Sequence, residues 1–432
     1  MRSPLLAPVA IALALAVAPP PATAGGLALK AAKILTLARE GAPVVDGGLL
    51  LVEDGKILAV GRADELEIPA GFELVDCGEG WLMPGLVELH SHVGSPVPFF
   101  PNDINDTVYL TNPGLRVSAG VIPGNIRLRK GLAGGVTTVL HIPGSGSNMG
   151  GHGLLFKTAH EEYERAEVRN PGSLKLAQAG NPEGWTVGVS RSFMNWNTRN
   201  TFRRGIAYAK RWEAFEAGDG PRPEKDIRLE IFRSLRKGDA QVSTHTQFGQ
   251  VVMMTIIMVA KELGLPVFID HGSFGGYLYG GLAEEYGVAA ILGPRMIARS
   301  RIVFSWDRLD TDGRILGCAA EYQARGHRSI GFNTDCVDGT GGFGTPTQEE
   351  LSLQAAMGLR YGLDGANLEG LRGLTIIPAE TMGLGDRIGS LEPGKDADVL
   401  LLGGDVADPR TSVERVWCDG ELVYDAREGR LW

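Results

Sequence analysis

Between residues 81 and 335 short apolar runs alternate with stretches of helical pattern, and no other feature constrains the fold as much. Eight runs read as strands: 81–90, 135–142, 153–158, 174–179, 241–246, 266–271, 289–293 and 329–335. Helical pattern fills TFRRGIAYAKRWEAFEAG, DIRLEIFRSLRKG and the mostly apolar residues 249–263, which should pack on the strands. Strands that alternate with helices favour a parallel sheet. Eight such units in roughly 300 residues fit a (β/α)8 TIM barrel with insertions. The expectation is an α/β fold with the barrel over residues 81–384.

The two ends read differently. Residues 26–80 hold short β-like runs separated by turns, with Asp54-Gly55 as a hairpin turn between alternating apolar residues. The last residues show the same pattern, in DADVLLLGGD and then VERVWCDGELVYDA, with Asp419-Gly420 as a second hairpin turn. Neither end is long enough to be a domain alone. Together, residues 25–80 and 385–432 suggest one small composite β-sandwich closed from both termini. Residues 1–24 stand apart: Arg2, an apolar run over 5–17 and Ala22-Thr23-Ala24 form a secretory signal pattern. The apolar run is short for a membrane span, and no later segment reads as one. The expectation is a periplasmic or secreted protein.

Composition sets bounds on partners. The chain is 432 residues long, 44% hydrophobic and 22% charged, which is ordinary for a globular protein. A net charge of −9, with no basic stripe interleaved with aromatics, argues against a nucleic-acid surface. Cys77, Cys318, Cys336 and Cys418 show no CxxC or zinc-knuckle spacing. Export would permit a disulfide, with Cys77 and Cys418 the pair a shared end sheet brings near; buried free thiols are the alternative. Oligomeric state is not legible.

The chemistry gathers at strand ends. The run LMPGLVELHSHV closes on His90-Ser91-His92, and residues i and i+2 of a strand point to one side. Two imidazoles on one rigid element are how a divalent metal is presented with ligands. His245 ends QVSTH, His271 ends PVFIDH and Asp335 ends SIGFNTD, each at the strand end where barrel enzymes place their chemistry. A metal held by His and Asp activates water, and a carboxylate beside it can take the proton and pass it to a leaving group. His271 could ligate a second metal or contact substrate. The glycine-rich stretch 150–153, GGHG, reads as a loop that lets backbone approach substrate, with His152 reaching in; a tight turn is the alternative. His141 could face the site, residues 191–197 could form a substrate wall, and His160 and His327 read as surface residues. GTGGFGT at 339–345 suggests a lid beside Asp335.

MPGLVELHSH, the later His245, His271 and Asp335, and the tail TIIPAETMGLGDRIGSLEPGKDADVLLL resemble the amidohydrolase superfamily, and its imidazolonepropionase-like branch most of all. The resemblance runs from about residue 27 to the end of the chain, and residues 131–153 and 174–184 resemble a subgroup of metal-dependent hydrolases. It implies a metal-bearing barrel beside a composite β-sandwich. It implies metal ligation by His90, His92, His245 and Asp335, with Asp335 also the general base. His271 would bind a second metal or contact water or substrate. Dinuclear members bridge their metals with a carboxylated Lys, or a Glu or Cys. Here Gly180 stands where the subgroup has an acid, leaving Lys157, Lys175 and the displaced Glu183 as candidates.

The leading reading is hydrolysis of a C–N bond (amide, peptide or cyclic amide) in a small molecule or small peptide. The metal would be divalent, zinc first, as one ion or two. Ring deamination is the alternative enzyme class, but the residues after His245, Thr246 to Gln250, include no acid to deliver a proton. A barrel that lost its chemistry and only binds is the third reading; its intact ligands speak against it.

Overall fold

The computed structural model describes residues 25–95, 105–106, 109–184, 189–299, 311–337 and 345–431, with backbone alone at 301–302 and 308–309. The signal pattern, most of the lid expected at 339–345, and residues 96–104 and 107–108 of the long loop after the first barrel run lie outside these.

Both ends of the chain build one sheet. β1 (Leu27–Leu35), β2 (Val44–Glu53), β3 (Lys56–Arg62), β4 (Glu73–Asp76) and β5 (Trp81–Pro84) join strands Val399–Leu402, Val413–Cys418 and Glu421–Asp425 in eight strands. β5 pairs with β1 on one side and with Val399–Leu402 on the other, so the first and last parts of the chain meet at its centre. Both expected hairpin turns form. Asp54 and Gly55 have φ of 49° and 75°, Asp419 and Gly420 50° and 77°, the left-handed pair that matches strand twist. The unbroken apolar run of β2 is explained by cores on both faces. Leu50 and Val52 pack with Leu29, Leu82 and Trp417, while Leu49 and Leu51 pack with Ala28.

At Gly85 the chain leaves this sheet. A Cβ there would lie 2.1 Å from Thr137 Oγ1, so only glycine lets the crossing pass that close. The run expected as one barrel strand over 81–90 is therefore two strands in two sheets.

The central strands are β6 (Leu86–Ser91), β7 (Val136–His141), β8 (Met149–His152), β9 (Leu154–Lys157), β10 (Glu167–Arg169), β11 (Ser173–Ala177), β12 (Gln241–Phe248), β13 (Val267–Phe274), β14 (Ala290–Leu292) and Ile330–Phe332. All eight sequence-read positions are strands. β6 and β7 are parallel, as are β11 through β14 and Ile330–Phe332 in order. A parallel bridge between Ser91 and Cys336 links the last of these back to β6. The third position departs from the expected parallel order. β9 pairs antiparallel with β7, and β8 antiparallel with β11. Residues 142–148 are too few for the crossover a parallel strand requires, about a dozen residues, so the chain doubles back. The glycine-rich stretch 150–153 is thus mostly strand rather than loop.

Alternation along these strands sorts side chains to two sides. Leu174, Leu176, Val242 and Ile269 pack on Phe202, Tyr208 and Phe232 of helices Arg191–Glu216 and Ile231–Lys237. Residues 249–263 are helical, as read, and contribute Val252, Ile256 and Val259 to the same cluster. Val87, Leu140, Leu155, Phe268 and Ile291 come from five different strands into one other cluster, closed by Ala379 and Met382. Lys175 and His245 lie on the faces of β11 and β12 opposite the helices.

The structure corrects three expectations. All four cysteines are free, so Cys77 and Cys418 form no disulfide. His160 and His327 are buried rather than on the surface. His160 is drawn in by Asp419, and His327 lies against the Tyr322 ring. Residues 191–197 open the long helix Arg191–Glu216.

Candidate metal centre

The bridge between Ser91 and Cys336 brings the ends of the first and last central strands side by side, and the histidines gather around it. His92 N donates to Cys336 O at 2.9 Å. Glu88, fully buried two residues before His90, secures the same junction. Its Oε2 accepts from Thr334 N at 2.9 Å and Thr334 Oγ1 at 2.8 Å, and its Oε1 from His90 N at 2.9 Å. Asp335 follows Thr334 with φ of 51°, and His271 has φ of 72°. Both are left-handed conformations that cost a non-glycine residue energy and turn its side chain off the strand's alternation.

The result is a convergence of donor atoms. Asp335 Oδ1 lies 3.2 Å from His90 Nε2 and 3.6 Å from His92 Nε2, and one ligand atom from each of the three lies within 4.8 Å of the others. His271 Nε2 lies 3.0 Å from His245 Nδ1, which is also 2.7 Å from Ser145 Oγ. The His271 ring centroid is 4.6 Å from those of both His90 and His245. His92 Nδ1 is 2.8 Å from Ile142 O and His271 Nδ1 2.9 Å from Gly293 O. A carbonyl only accepts, so both Nδ1 atoms carry the proton and both Nε2 atoms offer a lone pair inward. Lys175 completes the ring of groups: its Nζ is 3.4 Å from His90 Nε2 and 3.6 Å from Asp270 Oδ2, and Asp270 Oδ2 is 3.4 Å from His90 Nδ1.

The electrostatics follow from burial. Burial pushes Asp335 up, but the adjacent His90 and His92 imidazoles outweigh it and hold the carboxyl well below the usual range. Burial keeps His245 and His92 below the ordinary imidazole value and takes His271 down to about 3. It also lowers Lys175. Glu88 rises to about 7 by burial, partly offset by the hydrogen bonds it accepts.

The donor set fits a divalent metal: lone-pair imidazoles and a carboxylate, all shielded from bulk water. Asp270, with both oxygens buried and in no hydrogen bond of ordinary geometry, marks the same place as one that lacks a cation's full complement.

The five ligand candidates read from sequence (His90, His92, His245, His271 and Asp335) are brought together. His152 is not. It is buried with neither ring nitrogen hydrogen-bonded, and it lines a separate cavity with Arg116, Glu230 and Arg233. Pairing opposite Leu174 turns it to the helix side. His141 does not join the donor atoms either; its Nε2 is 3.1 Å from Ser95 Oγ. Of the three bridging candidates, Lys157 is bound to aspartates of the end sheet. Glu183 is folded back, accepting from Gly180 N at 3.0 Å and Arg191 Nε at 2.9 Å. Lys175 remains. Asp270, Glu88 and Ser145 were not read from sequence. Glu88 had a signal, an acid in an otherwise apolar strand at the spacing that shares a face with His90. Asp270 had none, since neighbours on a regular strand face opposite ways.

A family model described as "Amidohydrolase family" matches residues 318–429. The crystal structure of an amidohydrolase from Thermotoga maritima MSB8 superposes with a TM-score of 0.78 at 28% identity, covering 92% of this chain and all of that one (100%). The last quarter of the chain thus resembles the amidohydrolase family in sequence, and 92% of the chain resembles an amidohydrolase in structure. The chain is also 25% identical over 414 residues to the amidohydrolase tasK of Hapsidospora irregularis, which covers 88% of this chain but 40% of that protein. An imidazolonepropionase of Methylobacterium sp. (strain 4-46) is 43% identical over 65 residues, 14% of this chain and 16% of the relative. The chain thus spans well under two thirds of the curated relatives it matches.

Proposed function

We propose that this protein is a metal-dependent hydrolase of a C–N bond in an amide, peptide or cyclic amide, exported to the periplasm or beyond. The observation that carries the reading is the meeting of His90, His92 and Asp335 Oδ1 at the junction of the first and last central strands, with His245 and His271 beside them. We read the linked order of central strands as the closed barrel of the superfamily and the end sheet as its companion β-sandwich. The shared apolar cluster of five strands supports the first.

His90, His92, His245 and Asp335 would hold zinc or a similar ion, which supplies an activated water and polarises the scissile carbonyl. The chain's own residues do the rest. Ile142 O and Gly293 O fix His92 and His271 in the tautomer that leaves Nε2 free. Glu88 holds Thr334, and through it the turn that aims Asp335. Asp335, ionised by its imidazole contacts, is placed to take a proton from water at its Oδ atoms and return it to the leaving nitrogen. Lys175 is the group suited to bridging two ions. Burial favours its neutral amine, which can add carbon dioxide through Nζ and release a proton to give a carbamate.

The test is a substrate panel on zinc-loaded full-length protein: dipeptides, N-acyl amino acids, cyclic amides and amino-substituted purines and pyrimidines. Amide cleavage is the expected result. Ammonia release from the ring bases alone would replace the reading with a deaminase. Turnover of none, with metal bound, would leave a binding protein.

A further inference from the structure

A second group of metal-ligating side chains lies where the end sheet meets the central strands. β9 ends at Lys157 and the chain continues to His160. Opposite stand Asp396 and Asp398, before strand Val399–Leu402, and Cys418 and Asp419 of the last hairpin. One ligand atom from each of His160, Cys418 and Asp419 lies within 4.8 Å of the other two. The Asp419 oxygens have different partners: Oδ1 accepts from Lys157 Nζ at 2.5 Å, and Oδ2 lies 2.8 Å from His160 Nε2. Asp398 accepts from Lys157 on Oδ1 at 2.9 Å. Its Oδ2 is buried with no hydrogen bond of ordinary geometry and stands against the Cys418 thiol. Cys418 is fully buried and His160 nearly so.

The donor types point to what this group takes. The buried ammonium of Lys157 is shared by three carboxylates, with Asp396 Oδ2 at 2.7 Å. Lys56 and Arg387, each about half exposed, pair with Asp396. Arg165 pairs with Glu421 at 2.6 Å. The three cations Lys157, Lys56 and Arg387 thus balance the carboxylates of Asp396, Asp398 and Asp419, of which Asp398 and Asp419 lie beside sulfur and nitrogen donors. Anionic oxygens beside a thiol and an imidazole suit a thiophilic divalent cation.

We propose that Cys418, His160 and Asp419, with Oδ2 of Asp398, bind one zinc-class ion at a site separate from the His90–His92 centre. Binding breaks the Cys418 S–H bond, forms a sulfur–metal bond and releases the proton to solvent. A site closed by protein ligands is structural. It fastens the last hairpin of the end sheet to the segment after β9.

Cobalt substitution in the full-length protein tests this. A cysteine thiolate bound to cobalt gives a near-ultraviolet charge-transfer band, which imidazole and carboxylate ligands do not. Wild type should show the band and hold one equivalent more cobalt than Cys418→Ser or His160→Gln, both of which lose the band. Cys336→Ser, beside Asp335, should keep it. A loaded wild type without the band, or a band that survives in Cys418→Ser, would overturn the proposal. Should Cys418→Ser fail to fold, His160→Gln decides, since it leaves the thiol and the Lys157 contacts in place. Metal content equal to wild type there would also overturn it.

Discussion

Asp335 and His271 sit in left-handed backbone conformations, and each owes its place to a neighbour that makes the strain tolerable. For Asp335 that neighbour is Glu88, which accepts two hydrogen bonds from Thr334 and a third from His90 N within β6, and so ties β6 to Thr334. In Glu88→Gln one end of the side chain becomes a donor facing N–H and O–H donors. A loss of about 1–3 kcal/mol is expected for the unmet buried groups, read as a lower urea midpoint, together with weaker metal retention. A variant as stable as wild type and equally metal-loaded would show that Glu88 does not hold the junction. At this scale the sequence was informative about ligands and silent about their supports. A His at a strand end announces itself by type. Asp270 shares a face with Phe268, and His271 joins it at the cluster because its own φ is 72°; no residue pattern signals a left-handed turn at a histidine.

Among the elements, the contact of β9 with the end sheet carries a buried charge group. Lys157 meets Asp396, Asp398 and Asp419, and the carboxylates raise its affinity for a proton against the effect of burial. Removing one partner from a buried ion group costs about 3–5 kcal/mol, so Lys157→Met is expected to unfold at a clearly lower denaturant concentration. Burial raises Asp396, but Lys157 and Lys56 outweigh it and hold the folded carboxyl below its ordinary value. A depressed folded pKa contributes stability above the unfolded value, about 3.9, and loses it as pH falls through the folded one. The stability gap between wild type and Asp396→Asn should therefore be full at neutral pH and close in acid below about pH 4; a gap independent of pH would contradict this pairing. Strand positions were legible because short apolar runs between turn residues have few other uses. The direction of β8 and β9 was legible too, in the shortness of residues 142–148, but the repeating pattern around them favoured a uniform parallel order. The split at Gly85 was hidden because the run 81–90 is apolar on both sides of it.

For the whole molecule, the end sheet exists only when residues 27–84 and 399–425 are together. A chain stopped after Asp398 would leave β5 without a partner on one edge and Lys157 without Asp419. It is expected to yield no soluble folded protein, checked by soluble yield and circular dichroism; a folded fragment would show the central strands to be self-sufficient. The composite end sheet was legible from the matching strand-and-turn pattern of the two termini, since each was too short to close alone. Substrate identity was not, because it resides in loops whose residues carry no sharp chemical signature. The measurement that bears most directly on the central claim is amide hydrolysis before and after metal removal, in wild type and in Asp335→Asn. Chelation should abolish wild-type turnover, and added zinc should restore it. Asp335→Asn with metal supplied should remain slower by about 10²–10⁴-fold while keeping its fold. Wild-type turnover that survives complete metal removal, or an Asp335→Asn variant as fast as wild type, would contradict it.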